Sequence, residues 1–242
     1  MKLNIHHYAS LYSTQDSAKH FVLDGSGEGT VIIADEQDGG RGRQDRPWYS
    51  LKGNIHSSVV LNPKTHLEKE DNIFYGQLSL MTALAVLKGL RNLFPEVDDL
   101  RIKWPNDGIY NGKKVFGVLL ECFDHDTVII GIGINVNTLP DEVKDNAIHL
   151  KSILQKEDDL DLQPIFHSIL KELFQMYKIW IRDGFESFRS EWESYCPQIG
   201  TFIERSCDVE KQLQKGKFIG LNDDGSMLLE KEDGSHLSIY TI

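Results

Sequence analysis

The chain has 242 residues with 40% hydrophobic and 26% charged side chains, which fits one sizeable globular domain with room for a small second one. This composition excludes disordered and fibrous proteins, and no apolar run approaches the ~20 residues needed to span a bilayer. The formal net charge of -11 argues against a general nucleic-acid binder, because such proteins use a cationic surface to displace counterions from phosphates.

Apolar spacing divides the first part of the chain into strands, helices and one loop. Short apolar or alternating runs predict strands, whereas apolar residues at three-and-four spacing predict helices. The predicted strands are residues 3–8, 30–34, 54–61, 100–104, 108–110, 115–121 and 127–134. Residues 18–23 and 73–94 are predicted helices, and Ser13 has the composition of a helix cap. Residues 37–47 are rich in Gly and Arg without either period and are predicted to form a loop.

The last third of the chain contains two predicted helices and then a run of short strands. The helices are residues 164–182 and 185–195, and Pro197 ends the second. The predicted strands that follow are residues 201–206, 212–221, 226–230 and 236–240. We therefore expect two domains, a larger one of residues 1–196 and a small barrel-like β domain of residues 197–242.

Two features bear on the compartment of the protein. The first residues lack the apolar stretch of a secretory signal, so we expect a cytoplasmic location and no membrane partner. The three cysteines, Cys122, Cys196 and Cys207, are odd in number and form no CxxC pair. They indicate neither a disulfide framework nor a zinc site.

Positive charge is concentrated in two segments of this acidic chain. Residues 39–54 and residues 101–114 each contain four cationic side chains and one aspartate, which predicts a local anionic ligand. The first segment contains GRGR at residues 40–43, where glycine permits unusual backbone conformations and arginine can bind carboxylate or phosphate with two hydrogen bonds. Taken alone, this loop is equally typical of a solvated basic segment that binds RNA.

The second segment contains Lys103-Trp104-Pro105-Asn106-Asp107, a turn between two predicted strands. Such a turn can be purely structural, because Pro fixes φ and Asn or Asp caps turns. The flanking lysines favour a ligand site, since Lys114 follows the hairpin signal Asn111-Gly112 on a rigid arm. A third segment, GIGINVN at residues 131–137, has glycines that permit close approach of a ligand, although alone it is more typical of a tight strand crossing.

Together and in this order, the three segments resemble the catalytic domain of biotin protein ligases, whose hallmarks are a GRGR-type loop, a KWPND turn and a GIN strand end. The resemblance is strong over residues 8–140. It implies an α+β protein with a mixed sheet packed against helices, the class II synthetase-like biotin/lipoate ligase fold, and a small C-terminal SH3-like β-barrel. It also implies a monofunctional ligase.

The activity that the resemblance implies has two steps. Biotin is activated with ATP and Mg²⁺ to biotinyl-5′-AMP, and biotin is then transferred to one lysine of the biotin carboxyl carrier domain of a carboxylase. Family members occur as monomers and dimers, so a homodimer stays open. No nucleic-acid partner is expected.

The resemblance also assigns site residues position by position. The implied biotin contacts are Ser13, Thr14, Gln15, Gln37, Arg41, Gly42, Arg43, Lys114 and Gly117. The implied ATP contacts are Arg46, Trp48, Lys103, Asn106 and Asn135. The implied catalytic residues are Lys114, Arg43 and Asp107, with Asp107 as the partner of the incoming lysine amine; no metal ligand is assigned. Two anions about 4 Å apart repel by ~4 kcal/mol at an effective dielectric constant of 20, and Arg41, Arg43 and Lys114 would neutralise this repulsion.

Two positions depart from the family pattern, and three other functions compete with this one. Asp45 stands where the family usually has Gly, and Gln15 replaces the usual Asn. Lipoate ligases share the fold but lack this GRGR and KWPND pair. Family repressors carry a helix-turn-helix domain before the ligase, which we do not expect because Ser13 lies a dozen residues from Met1. An RNA-binding module would be basic, whereas this chain is acidic.

Overall fold

A computed structural model describes residues 2–67, 74–206 and 213–240 of the chain. The strands are β1 (Asn4–Leu11), β2 (Thr30–Gln37), β3 (Ile55–Leu61), β4 (Arg101–Lys103), β5 (Asp107–Tyr110), β6 (Lys113–Cys122), β7 (Val128–Ile134), β8 (Phe202–Ser206), β9 (Leu213–Leu221), β10 (Met227–Glu230) and β11 (His236–Ile239). The helices are α1 (Thr14–Leu23), α2 (Gly76–Leu93), α3 (Leu150–Ile153), α4 (Leu162–Asp183) and α5 (Glu186–Ser194).

A mixed sheet in the order β1-β2-β3-β7-β6-β5-β4 forms the centre of the molecule. Strands β1 and β2 are parallel, and the other neighbouring strands are antiparallel. Every residue of β3 is buried. Helix α2 packs on one face of the sheet with α4 packed against α2, and α1 packs against β2, β3 and β7 on the other face. This architecture confirms the predicted mixed sheet packed against helices.

The predicted elements occur where the apolar spacing placed them, with shifted ends. Strands β1 and β2 extend three residues further than predicted, and α2 begins at Gly76 within the described residues. Asn111 and Gly112 have φ values of 49° and 78°, so the hairpin signal forms the expected tight turn. The short helix α3 was not predicted. Residues 73 and 212 and Cys207 lie outside the described residues.

Strands β8 to β11 form a second, antiparallel sheet in the order β11-β10-β9-β8. Within the described residues β8 does not pair with β11, so the sheet is open there. Phe218 and Leu229 of this sheet belong to the same apolar core as the large sheet. Trp104 Nε1 donates a hydrogen bond of 3.3 Å to the Gly225 carbonyl, which ties the small sheet to the KWPND turn. The domain boundary at residues 196 and 197 stays a prediction.

The described part of the chain includes no helix that combines the length and the apolar character needed to cross a bilayer. Cys122 is exposed and Cys196 is buried.

Candidate active site

A cavity of about 410 Å³ lies over β3, β6 and β7, between the Gly- and Arg-rich loop and the KWPND turn. Every residue that the resemblance assigns to the site lines this cavity. The cationic side chains on its wall are Arg41, Arg43, Arg46, Lys103 and Lys114. Among the lining residues, Asp107 is the single carboxylate. In a chain with a net charge of -11, this excess of positive charge marks the cavity as a site for an anionic ligand.

One end of the cavity has a polar floor built by the start of α1 and by β3. Ser58 Oγ lies 2.9 Å from Thr14 Oγ1 and donates to Gln15 Oε1 at 2.8 Å. The Gln15 amide donates to the Ile129 carbonyl at 3.0 Å, so both halves of this amide are satisfied. Gln37 Oε1 accepts the Thr14 N–H at 2.7 Å, which fixes the beginning of α1. Gln15, one of the two residues that depart from the family pattern, is therefore part of the floor itself.

Glycines on β6 and β7 leave room for side chains at both ends of the cavity. Gly117 and Gly133 are opposite each other in the sheet. A Cβ at Gly133 would lie 2.5 Å from the Trp48 ring, and one at Gly117 would lie 2.9 Å from Lys114 Nζ. A Cβ at Gly131 would lie 3.0 Å from Gln15 Oε1. The glycines thus accommodate the protein's own site residues, whereas the sequence suggested close approach of a ligand.

Lys114 and Asp107 form an ion pair across the hairpin of β5 and β6. Lys114 Nζ lies 2.7 Å from Asp107 Oδ1, and it also lies 5.2 Å from the centre of the Trp48 ring. The register of the two strands shifts between Gly108 and Ile109, a β-bulge of the kind that redirects a side chain at a site. The two side chains are 35% and 28% exposed, so both remain accessible from the cavity.

The two asparagines of the site fix the backbone around it. The Asn106 side chain donates to the Val118 carbonyl, and the Val118 N–H donates to the Asn106 carbonyl at 3.0 Å. Asn135 Nδ2 donates to the Lys114 carbonyl at 3.2 Å. These bonds hold the KWPND turn against β6 and hold Lys114 against the end of β7.

The Gly- and Arg-rich loop returns on itself like a small hairpin. Arg41 pairs with Pro47, and the Gly42 N–H donates to the Arg46 carbonyl at 2.8 Å. At the tip, Gln44 and Asp45 have φ values of 55° and 53°. This left-handed conformation favours glycine and tolerates aspartate better than most residues. Asp45 therefore keeps the backbone conformation that the family's usual glycine would adopt easily.

Arg41 is bound by two carboxylates behind the cavity wall. Its guanidinium donates to both oxygens of Asp16 at 3.0 and 2.8 Å and lies 3.3 Å from each oxygen of Glu121. The hydrogen bonds with Arg41 hold the pKa of Asp16 below its usual value. The bond to Asp16 and the charge of Glu121 raise the pKa of Arg41, although burial opposes this.

The resemblance did not assign His56 and Ser58, which also line the cavity from β3. His56 is buried, and burial lowers its pKa from 6.5 to about 4, so the ring is neutral at pH 7. Its Nε2 lies 3.2 Å from the Leu51 carbonyl. Both residues belong to a strand in which alternate side chains share a face, and this period-two pattern was the one available signal for them.

Within the described residues 2–67, 74–206 and 213–240, no group of three His, Cys, Asp or Glu side chains could hold a metal ion. Mg²⁺ commonly binds through one or two carboxylates together with substrate phosphates. The Asp107 carboxylate on the cavity wall is a side chain of this type.

Several known proteins resemble this chain in sequence and in structure. Residues 9–137 match the model of the biotin/lipoate A/B protein ligase family. The bifunctional ligase/repressor BirA of Bacillus subtilis (strain 168) is 37% identical over 93% of this chain and 68% of that protein. The biotin–[acetyl-CoA-carboxylase] ligase of Paracoccus denitrificans is 32% identical, over 84% of this chain and 85% of that protein.

Among solved structures, the biotin protein ligase from Aquifex aeolicus in complex with biotin and ATP superimposes with a TM-score of 0.83. The identity is 32%, and the match covers 98% of this chain and 96% of that one. The mixed sheet, the covering helices and the small C-terminal sheet thus occur together in that protein as well. The chain belongs to the biotin/lipoate A/B protein ligase family.

Proposed function

We propose that this protein is a biotin protein ligase, which activates biotin with ATP to biotinyl-5′-AMP and transfers biotin to a lysine of a carrier protein. The observation that carries the proposal is the single cavity in which the GRGR loop, the KWPND turn and the end of β7 meet. The structure from Aquifex aeolicus binds biotin and ATP together, and it matches this chain over nearly its full length. The carrier that we propose is the biotin carboxyl carrier domain of a carboxylase.

The polar floor of the cavity is the proposed site of the biotin ring system. Ser13, Thr14, Gln15 and Gln37 offer hydroxyl and amide groups there, and Ser58 adds a further hydroxyl. Groups already held by protein hydrogen bonds lose little freedom when a ligand binds. Gly42 and Arg43 on the loop, with Gly117 and Lys114 on β6, would enclose the valeryl chain and its carboxylate.

The opposite end of the cavity is the proposed ATP site. The contributing residues are Arg46, Trp48, Lys103, Asn106 and Asn135. The indole of Trp48 over Gly133 offers an aromatic face, while the cationic side chains offer charge to phosphates. Asp107 is the lining carboxylate that would contact Mg²⁺ bound to the triphosphate, and the ion would neutralise part of the phosphate charge.

In the first step, an oxygen of the biotin carboxylate attacks the α-phosphorus of ATP and pyrophosphate leaves. The carboxylate and the phosphate are both anionic, so bringing them together needs fixed positive charge. Lys114 and Arg43 provide it at the junction of the two ligand sites, and charge that is held in place before the reaction needs little reorganisation in the transition state.

In the second step, the amine of the carrier lysine attacks the acyl carbon of biotinyl-5′-AMP and AMP leaves. The amine must lose a proton to form the amide, and Asp107 is the carboxylate on the cavity wall that can accept it. Asp107 is paired with Lys114 in the structure. We expect the negative ligands to draw Lys114 away, which would leave Asp107 available to the amine.

Mass spectrometry of the carrier tests the proposed function directly. The protein is incubated with ATP, Mg²⁺, biotin and a purified carrier domain, and the carrier mass is measured with and without each component. We expect one biotin added per carrier only when all components are present. An unmodified carrier after complete reaction mixtures would contradict the proposal.

A further inference from the structure

The charge of Arg41 is already balanced inside the protein. Asp16 and Glu121 both contact its guanidinium, and Lys19 Nζ lies 3.1 Å from Glu121. These side chains carry two positive and two negative charges, so the group has no net charge to offer a ligand. The Arg41 side chain is only 19% exposed.

A ligand anion would have to displace a carboxylate from Arg41 before binding it. The Asp16 contact is bidentate, with both oxygens bonded, and such pairs are the strong ones among hydrogen bonds between charged groups. Lys114 differs, because one carboxylate oxygen holds its ammonium and its side chain is 35% exposed. An incoming carboxylate or phosphate therefore meets less resistance at Lys114 than at Arg41.

Arg41 also lies at the base of the loop. It pairs with Pro47 across the small hairpin, and the Trp48 N–H donates to the Gly40 carbonyl at 2.9 Å. Fixing Arg41 thus fixes both arms of the loop and the backbone of Trp48, whose ring lies on Gly133. The tip at Arg43–Asp45 extends beyond this fixed base.

We propose that Asp16, Arg41 and Glu121, called here the loop anchor, are positioning residues that hold the base of the loop over the cavity. Asp16 belongs to the first turn of α1 and Glu121 to β6, so the anchor ties the loop to two rigid elements. A fixed base keeps the loop closed over the intermediate and lets the tip alone open. The anchor therefore governs how long biotinyl-5′-AMP is retained, not how fast it forms. This role rests on the proposed ligase function.

The test uses Asp16→Asn and Glu121→Gln, which remove charge while keeping shape. We expect preformed biotinyl-5′-AMP to dissociate several-fold faster from each variant, with single-turnover adenylation changed by less than about twofold. Arg41→Lys should also release biotinyl-5′-AMP faster, because an ammonium cannot make the bidentate contact that the guanidinium makes with Asp16. Faster dissociation from Glu121→Gln cannot result from a weakened start of α1, because Glu121 belongs to β6.

A second measurement needs no ligand. Trypsin cleavage after Arg43 in the protein without added ligand, mapped by mass spectrometry, should be faster in both variants, because the loop base opens more often; the Arg46–Pro47 bond is resistant to trypsin and is not a readout. The matched control is Glu191→Gln, which breaks a Lys88–Glu191 ion pair of 2.8 Å between α2 and α5 at comparable exposure. The control should change neither cleavage nor retention.

Two results would overturn the proposal: unchanged trypsin cleavage in both variants, or slowed adenylation with unchanged dissociation. The second result would mean that Arg41 meets the ligand charge itself. If the parent protein makes no biotinyl-5′-AMP, the ligase function fails, and faster cleavage in the variants would still support the anchor as a structural device.

Discussion

At the scale of single residues, the site combines one pair of opposite charges with side chains that are already held in place. The Lys114–Asp107 pair lies across the β5–β6 hairpin at 2.7 Å, directly beside the Trp48 ring. Its two members have separate proposed tasks, since Lys114 would act on anions in the first step and Asp107 on an amine in the second. Substitution of each residue should therefore impair a different step.

Replacing Lys114 with alanine should slow formation of biotinyl-5′-AMP by at least about tenfold, because the fixed charge at the reacting carboxylate is lost. The measurement is single-turnover adenylation. Lys113→Ala is the matched control, since Lys113 is its neighbour but its Nζ donates to the Lys144 carbonyl at 3.0 Å outside the cavity. Equal rates in both variants would remove Lys114 from the reaction.

Replacing Asp107 with asparagine should leave biotinyl-5′-AMP formation largely intact and slow its transfer to the carrier. The amide keeps the shape of the carboxylate but cannot accept the proton of the amine. The two half-reactions are measured separately, by pyrophosphate release and by loss of preformed biotinyl-5′-AMP to the carrier. If both steps slow equally, Asp107 acts on the nucleotide instead.

The buried His56 should make the folded protein sensitive to mild acid. Its pKa falls from 6.5 to about 4 on folding, so the unfolded chain binds the proton more readily. Stability contributed by the neutral ring is present above pH 6.5 and is lost as the pH falls towards 4, by up to about 3 kcal/mol. The free energy of unfolding should therefore fall less steeply with acid in His56→Gln than in the parent protein; parallel curves would contradict this.

At the scale of elements, β6 and β7 place the two ends of the cavity on one pair of strands. Gly131 lies under Gln15 at the proposed biotin end, and Gly133 lies under Trp48 at the proposed ATP end. The two glycines are two residues apart on the same strand and face the same side. Replacing either glycine with alanine therefore adds one methyl group to one end of the cavity, and the two variants can be compared directly.

Gly133→Ala should raise the apparent KM for ATP more than that for biotin, because its Cβ would lie 2.5 Å from the Trp48 ring and must displace it. Gly131→Ala should do the opposite, because its Cβ would lie 3.0 Å from Gln15 Oε1. Steady-state adenylation with each substrate varied in turn separates the two effects. The same KM pattern in both variants would show that the cavity is not divided in this way.

Sequence periodicity predicted these elements well because each strand or helix shows its own pattern of buried side chains. The resemblance implied that the three motifs meet, and every residue that it assigns to the site lines one cavity. The loop anchor could not be predicted, because it joins Asp16, Arg41 and Glu121, which are up to 105 residues apart in the 242-residue chain and come together only in the folded sheet. His56 likewise carries no motif, and its importance follows from burial.

At the scale of the whole molecule, the small C-terminal sheet is packed against the turn that carries Asp107. The Trp104 side chain, which is 2% exposed, donates to Gly225 in that sheet, and Gln77 of α2 donates to the Asp223 carbonyl at 2.6 Å. Apolar residues of both sheets share one core. We therefore expect both sheets to unfold together, although the sequence predicts two domains.

Trp104→Phe should lower the free energy of unfolding by about 1–3 kcal/mol beyond the loss from reduced packing, because it leaves the buried Gly225 carbonyl without its donor. Trp192→Phe is the matched control: this tryptophan is also buried, but its Nε1 has no hydrogen-bond partner among the described residues. Urea unfolding measures both variants. Equal losses would show that the bond between the sheets contributes little.

At the scale of the whole molecule, the central property is that the protein activates biotin and not another acid. ATP–pyrophosphate exchange tests this property most directly. The assay measures incorporation of labelled pyrophosphate into ATP with biotin, with lipoate or with no acid. We predict exchange with biotin and none above background with lipoate. Comparable exchange with lipoate would contradict the assignment.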